Sequence, residues 1–193
     1  MMRHGWLIVV LTVFITSCGN KEEKQNGPAR WSSFPVSIYV DPNLVNSAQS
    51  QRDFEDAMAF WEQRVGKRLF NYLGTWSGSG YSGGNSINQN VLYLQNPWSY
   101  SANIAAQTVV LSQKSEIKGA VIMVNPHTSF CSGDCTAQMD HTSFRKVLAH
   151  ELGHFIGLSH SGDSSNIMYP DALPGGSLNS LAINVEELRP LVE

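Results

Sequence analysis

The feature that most constrains this chain is a pair of histidines in a segment with a strong helical pattern. His150 and His154 stand four residues apart in the sequence HELGH. Positions i and i+4 project from the same face of a helix, one turn apart, so the two imidazoles can bind one metal ion. The spacing therefore requires a helix here. We expect it over residues 142–158, with Thr142 or Ser143 as the N-cap.

A third imidazole, His160, follows Gly157. Because glycine accepts positive φ, the chain can leave the helix at Gly157 and bring His160 back to the metal. Three neutral ring nitrogens leave one coordination position open, which is typical of a catalytic rather than a structural zinc site. The sequence therefore predicts one zinc ion held by His150, His154 and His160. Glu151 is the predicted general base towards water activated by the metal.

The surrounding sequence resembles a known peptidase clan. The stretch HELGHFIGLSHS (residues 150–161), followed by IMYP (residues 167–170), resembles the metzincins, and most closely their matrixin branch, which contains the matrix metalloproteinases. The resemblance implies that Met168 lies on a tight turn beneath the metal. It also places Pro170 and Ala172 in the wall of the substrate pocket, where the family usually has a tyrosine in place of Ala172. Tyr169 is not expected to bind zinc.

The predicted elements indicate an α+β fold of the metzincin type. Strands are expected at residues 34–40, 90–95, 104–112 and 117–124, with an amphipathic helix over residues 47–65. The order of elements resembles that of the family. It implies a mixed twisted sheet with one antiparallel edge strand near residues 104–111. The amphipathic and active-site helices should pack on this sheet, and a small C-terminal subdomain should contain one helix, over residues 178–191.

The N-terminal residues have a different pattern from the rest of the chain. Arg3 and the apolar run of residues 6–16, which is too short to span a bilayer, predict a signal peptide over residues 1–17. Small residues before Cys18 resemble a bacterial lipoprotein cleavage site, so Cys18 is predicted to carry lipid and attach an exported protein to a membrane. No Asp follows Cys18, so the inner-membrane retention signal of many such lipoproteins is missing, which favours the outer membrane or cell surface; exposure on the periplasmic side stays open. An ordinary signal peptide with a chance thiol is the alternative.

Composition completes the predicted organisation. Residues 18–32 are mostly polar and are expected to be a flexible tether, while residues 33–193 form the catalytic domain. The net charge of −3 and the scattered Lys and Arg residues argue against a nucleic-acid partner. We expect a monomer that binds protein or peptide substrates.

Two cysteines, Cys131 and Cys135, lie close together before the active-site helix. In an exported protein they are predicted to form a disulfide. Free thiols are one alternative, and a small metal site that adds His127 and His141 is another. Calcium bound by Asp134 and Asp140 is a weaker alternative that no spacing pattern supports.

The function that these features predict is a zinc endopeptidase acting on extended protein segments aligned along the edge strand. Two other classes remain open. One is a surface binding module or adhesin that keeps zinc for structure, and the other is a hydrolase of cell-wall amides. Incubation with casein and with cell-wall fragments, each with and without a chelator, separates the three.

The lipid attachment is testable with one substitution. Cys18→Ser removes the only thiol at the predicted cleavage site, so the protein should move from the membrane fraction to the soluble fraction. Fractionation followed by immunoblotting measures this. A Cys18→Ser protein that stays in the membrane fraction would show that the attachment lies elsewhere.

Overall fold

The computed structural model describes residues 28–79, 87–135, 141–170 and 177–193. Cys18, the predicted signal peptide and Ala172 lie outside these ranges. The elements in chain order are β1 (Val36–Val40), α1 (Ala48–Val65), β2 (Phe70–Thr75), β3 (Val91–Leu94), β4 (Ala106–Gln113), β5 (Glu116–Val124), β6 (Phe130–Cys131), β7 (Thr142–Ser143), α2 (Phe144–Phe155), a 3₁₀ turn (Leu178–Ser180) and α3 (Val185–Val192).

Five strands form a mixed sheet in the order β2-β1-β3-β5-β4. The first four run parallel to one another, and β4 lies antiparallel to β5 at the edge. The predicted α+β fold with one antiparallel edge strand is therefore confirmed. β2 was not predicted. Its sequence, FNYLGT, contains Asn71 and Gly74 and has little alternation, and its pairing with β1 is a tertiary contact that local sequence does not report.

The two long helices share a core with one face of the sheet. Phe54, Ala57 and Trp61 of α1 are fully buried, as predicted, against Leu148 and Leu152 of α2 and the inward residues of the strands. A second, smaller cluster of buried strand residues packs against Trp76 and Trp98. Ser47 begins α1 with a capping box, and Gly66, at φ 65°, ends it.

The active-site helix is shorter than predicted. It begins after Ser143, whose side chain accepts a hydrogen bond from Lys146 N. It ends at Phe155 because Gly157, at φ 107°, turns the chain out of the helix. Gly157 N donates to His154 O and Leu158 N donates to Gly153 O, which is the paired pattern of a Schellman motif.

The single helix predicted over residues 178–191 is wrong in extent. A 3₁₀ turn and α3 are separated by a segment that pairs with the chain after His160: Ala182 N donates to Ser165 O, and Ile167 N donates to Ala182 O. Asn184 then caps α3 by accepting from the backbone of Glu186 and Glu187. Apolar residues recur at helical spacing throughout this stretch, but pairing with a distant segment interrupts the helix.

Residues assigned to the tether pack on the domain. Arg30 N donates to Ser115 O, and Ile117 N donates to Arg30 O. The indole N–H of Trp31 donates to Phe155 O at 2.7 Å, and the indole packs against the ring of Phe155. Arg30 and Trp31, which lie in the segment predicted to be a tether, thus contact β5 and α2, and the domain boundary stays a prediction. Of the helices in the described ranges, none is both long and apolar enough to cross a membrane.

A buried carboxylate, Asp53, joins three parts of the fold. It accepts hydrogen bonds from Gly133 N at 3.0 Å and Gln49 Nε2 at 3.1 Å, and it pairs with Arg145 in the first turn of α2 at 3.0 Å. Because a fully buried charge is costly unless it is paired and hydrogen-bonded, this cluster fixes α2 against α1 and against the loop that contains Gly133.

The turn at Gly157 is expected to require glycine. In a Gly157→Ala protein the new Cβ would lie 2.6 Å from Ala29 O on a backbone with positive φ, and such strain costs about 1–3 kcal/mol. Chemical denaturation should show an earlier midpoint. Gly162→Ala is the matched control, because no atom lies within 4 Å of its added Cβ. Equal midpoints for the two variants would contradict this account of the turn.

Candidate active site

The three predicted metal ligands come together. His154 Nε2 lies 3.1 Å from His150 Nε2 and 3.1 Å from His160 Nε2. In the described ranges these three side chains form the group able to hold a metal ion, with all ligand atoms within 4.8 Å of one another. Tetrahedral zinc with Zn–N bonds of about 2.0–2.1 Å would separate its nitrogens by about 3.3 Å. Two of the three nitrogen separations, each 3.1 Å, are close to this value.

Hydrogen bonds orient two of the rings. His150 Nδ1–H donates to Ile167 O, and His154 Nδ1–H donates to Leu158 O, each at 2.8 Å. A carbonyl oxygen only accepts, so Nδ1 carries the proton and Nε2 keeps its lone pair. Burial lowers the pKa of both imidazoles, that of His154 to about 4. Both rings are therefore neutral at physiological pH, which is the form that binds metal.

The turn after α2 delivers the third ligand. Gly157 reverses the chain, and two residues beyond Leu158 the exposed His160 faces His154. Ser161, which follows His160 in the family motif, makes two hydrogen bonds. Its backbone N–H donates to Met168 O, and its hydroxyl accepts from Asp163 N. The bond to Met168 O ties the segment of the third candidate ligand to the turn that contains Met168.

Met168 lies beneath the histidine helix, as the resemblance implies. It is buried, and its backbone N–H is held by Asn166 Oδ1 at 2.8 Å. A Cβ on Gly153 would lie within 3 Å of both Met168 Sδ and Trp61. The glycine inside HELGH is thus the residue that lets the methionine and the indole reach the helix. Trp61 also donates to Ala149 O at 2.8 Å.

Glu151 is buried beside the first ligand, on the side of α2 that faces β4. Thr108 of β4 donates its hydroxyl to Glu151 Oε2 at 2.5 Å and lies 3.2 Å from Glu151 O. Burial raises the pKa of Glu151 to about 7, and hydrogen bonds from the side chain and main chain of Thr108 oppose the rise. A carboxyl group with this pKa is suited to accept and release a proton near neutral pH.

Thr108 was not identified from the sequence. It lies at a buried position in the predicted edge strand, but no local pattern couples that strand to Glu151, which is 43 residues away. Asn166 was missed for a similar reason, because its side chain shapes the methionine turn and leaves no signature in residue spacing.

The remaining predicted site residues take different places. Cys131 and Cys135 form a disulfide with their Cα atoms 5.8 Å apart, which replaces the alternatives of free thiols and of a metal site with His127 and His141. Pro170 is exposed two residues after Met168. Ala172 and Asp140 lie outside the described residues, so the pocket wall and the calcium alternative stay predictions.

A methionine turn packed under a histidine-bearing helix, on a mixed sheet with an antiparallel edge, is the arrangement of a metzincin domain. Comparison with known proteins identifies the family within this class. The matrixin family model matches residues 30–179, and the chain therefore belongs to the matrixin family. A 70-residue segment is 30% identical to Matrix metalloproteinase-A of Caenorhabditis elegans, covering 36% of this chain and 13% of that protein. The match thus spans a small part of that relative's length.

The ligand set predicts the metal content of variants. Elemental analysis of the purified protein should find about one zinc per chain, and His154→Ala should lose most of it because His154 Nε2 lies next to both other donors. His127→Ala is the control, since this histidine is outside the cluster. A His154→Ala protein that keeps its full zinc content would contradict the assignment of His154 as a metal ligand.

Proposed function

We propose that the protein is a zinc-dependent endopeptidase that hydrolyses peptide bonds in extended protein segments. The observation that carries the proposal is the buried Glu151 on the same helix as two of three converging histidines, in a domain of the matrixin family. A zinc ion in this site would supply a Lewis acid that polarises the scissile carbonyl and makes water more acidic.

Glu151 performs the proton transfers in this proposal. Its carboxylate takes a proton from the attacking water and later passes it to the leaving amine, which departs as the carbon–nitrogen bond breaks. Its burial supports this role, because a pKa near 7 allows the same group to act as base and then as acid. His150, His154 and His160 bind the metal and hold no catalytic proton.

The edge strand β4 provides the surface along which a peptide would align. Asn125 N donates to Ala105 O, so Ala105 and Asn125 form a hydrogen-bonded pair of the antiparallel ladder. Pairs alternate, and the register of β4 with β5 then directs the main-chain groups of residues 106, 108 and 110 away from β5. Thr108 O accepts from Gln107 Nε2 at 3.1 Å, whereas the groups of residues 106 and 110 are available to an added strand, which supports recognition through the substrate backbone.

We further propose that the enzyme is exported and acts as a monomer attached to a membrane through lipid on Cys18. The support is the apolar run before Cys18 and the small residues that precede it. The polar residues that follow Cys18 would separate the domain from the bilayer surface.

Replacing the proposed base tests the activity directly. Glu151→Gln keeps the size of the side chain and its bond to Thr108 but removes the proton acceptor, so casein hydrolysis should fall by roughly 100-fold to 10,000-fold. Zinc content should stay near that of the wild type. Glu186→Gln, at an exposed position in α3, is the matched control and should remain active. A Glu151→Gln protein that keeps zinc and near-normal hydrolysis would refute the proposed mechanism.

A further inference from the structure

A hydroxyl group from the edge strand contacts the proposed base. Thr108 is buried, and its Oγ1 lies 2.5 Å from Glu151 Oε2 and 3.2 Å from Glu151 O. The carboxylate offers only acceptors, so the hydroxyl donates to it. The shorter of the two contacts is the one to Oε2.

The contact joins two elements with separate roles. Thr108 stands opposite Ile122 of β5 in a non-hydrogen-bonded pair, so its own main-chain groups point away from β5, whereas its side chain faces α2. One residue thus belongs both to the surface where a peptide would pair and to the surroundings of the base.

We propose that Thr108 is a positioning residue that fixes the rotamer of Glu151 by holding Oε2, so that Oε1 is the oxygen that accepts the proton from water. The inference rests on the proposed peptidase function. A carboxylate at the end of a three-bond side chain can otherwise take several rotamers, and a base displaced by about 1 Å loses much of its effect. The bond therefore acts on the chemical step and leaves substrate binding unchanged.

The consequence is a separation of kinetic constants. In Thr108→Val the side chain keeps its branched shape and the main-chain N–H, but the donor to Oε2 is gone. We expect kcat on a peptide substrate to fall about 10-fold to 100-fold, with KM within about 2-fold of the wild type. Thr108→Ser retains the hydroxyl and should keep kcat within about 3-fold of the wild type. Both variants should hold about one zinc per chain.

A stability measurement tests the same contact without activity. Denaturation midpoints of Thr108→Val, Glu151→Ala and the double variant should be non-additive, because contacting residues share an interaction that either change removes. Additive shifts would overturn the contact. A Thr108→Val protein with wild-type kcat, or a Thr108→Ser protein as slow as Thr108→Val, would overturn the positioning role.

The wild type and Glu151→Gln separate this inference from the proposed function. If the wild type cleaves the peptide, Glu151→Gln does not, and Thr108→Val cleaves at the wild-type rate, only the role of Thr108 fails. If the folded, zinc-loaded wild type cleaves no peptide, the proposed function fails, and the positioning role of Thr108 in catalysis fails with it. Non-additive midpoints would then still establish the hydrogen bond as a structural contact.

Discussion

The site depends on keeping three imidazole rings close together with their Nε2 lone pairs directed to one point. The three rings do not stabilise one another in this arrangement, so contacts with other parts of the chain must hold them in place. The carbonyls of Ile167 and Leu158 do this for His150 and His154 by accepting from Nδ1. Both carbonyls belong to the chain beyond α2. The turn at Gly157 therefore supplies a candidate ligand in His160 and also an acceptor that orients another ligand.

The proposed base, Glu151, is held in place by different contacts. Glu151 lies between α2 and β4, where burial disfavours its charged form and Thr108 favours it. The opposition matters, because a carboxylate that is buried without a donor would stay protonated, and one in water would be a weak base. In the proposed function the outer edge of β4 would align the substrate, so the strand that holds the carboxylate of Glu151 would also carry the alignment surface.

Distant packing maintains this geometry. Gly153 makes room for Met168 and Trp61 under the helix, and Trp61 also binds Ala149 O. At the other end of α2, Arg145 pairs with the buried Asp53, which in turn holds Gly133 inside the loop closed by the Cys131–Cys135 disulfide. Both ends of the helix are thus fixed to α1. The disulfide contributes no atom to the histidine cluster, yet it belongs to the network that holds the helix in place.

The sequence alone determined the candidate ligands, the helix that carries two of them and the glycine turn, because each leaves a local signature in spacing or residue type. The methionine turn and the antiparallel edge strand were predicted from the resemblance to the metzincins. The sequence also predicted the disulfide from the short separation of two cysteines. Tertiary structure alone decided β2, the break between the 3₁₀ turn and α3, and the packing of Arg30 and Trp31. These features arise from pairing between segments far apart in the chain. The bond from Thr108 to Glu151 belongs with them, because a hydrogen bond across 43 residues exists only once β4 and α2 have packed together.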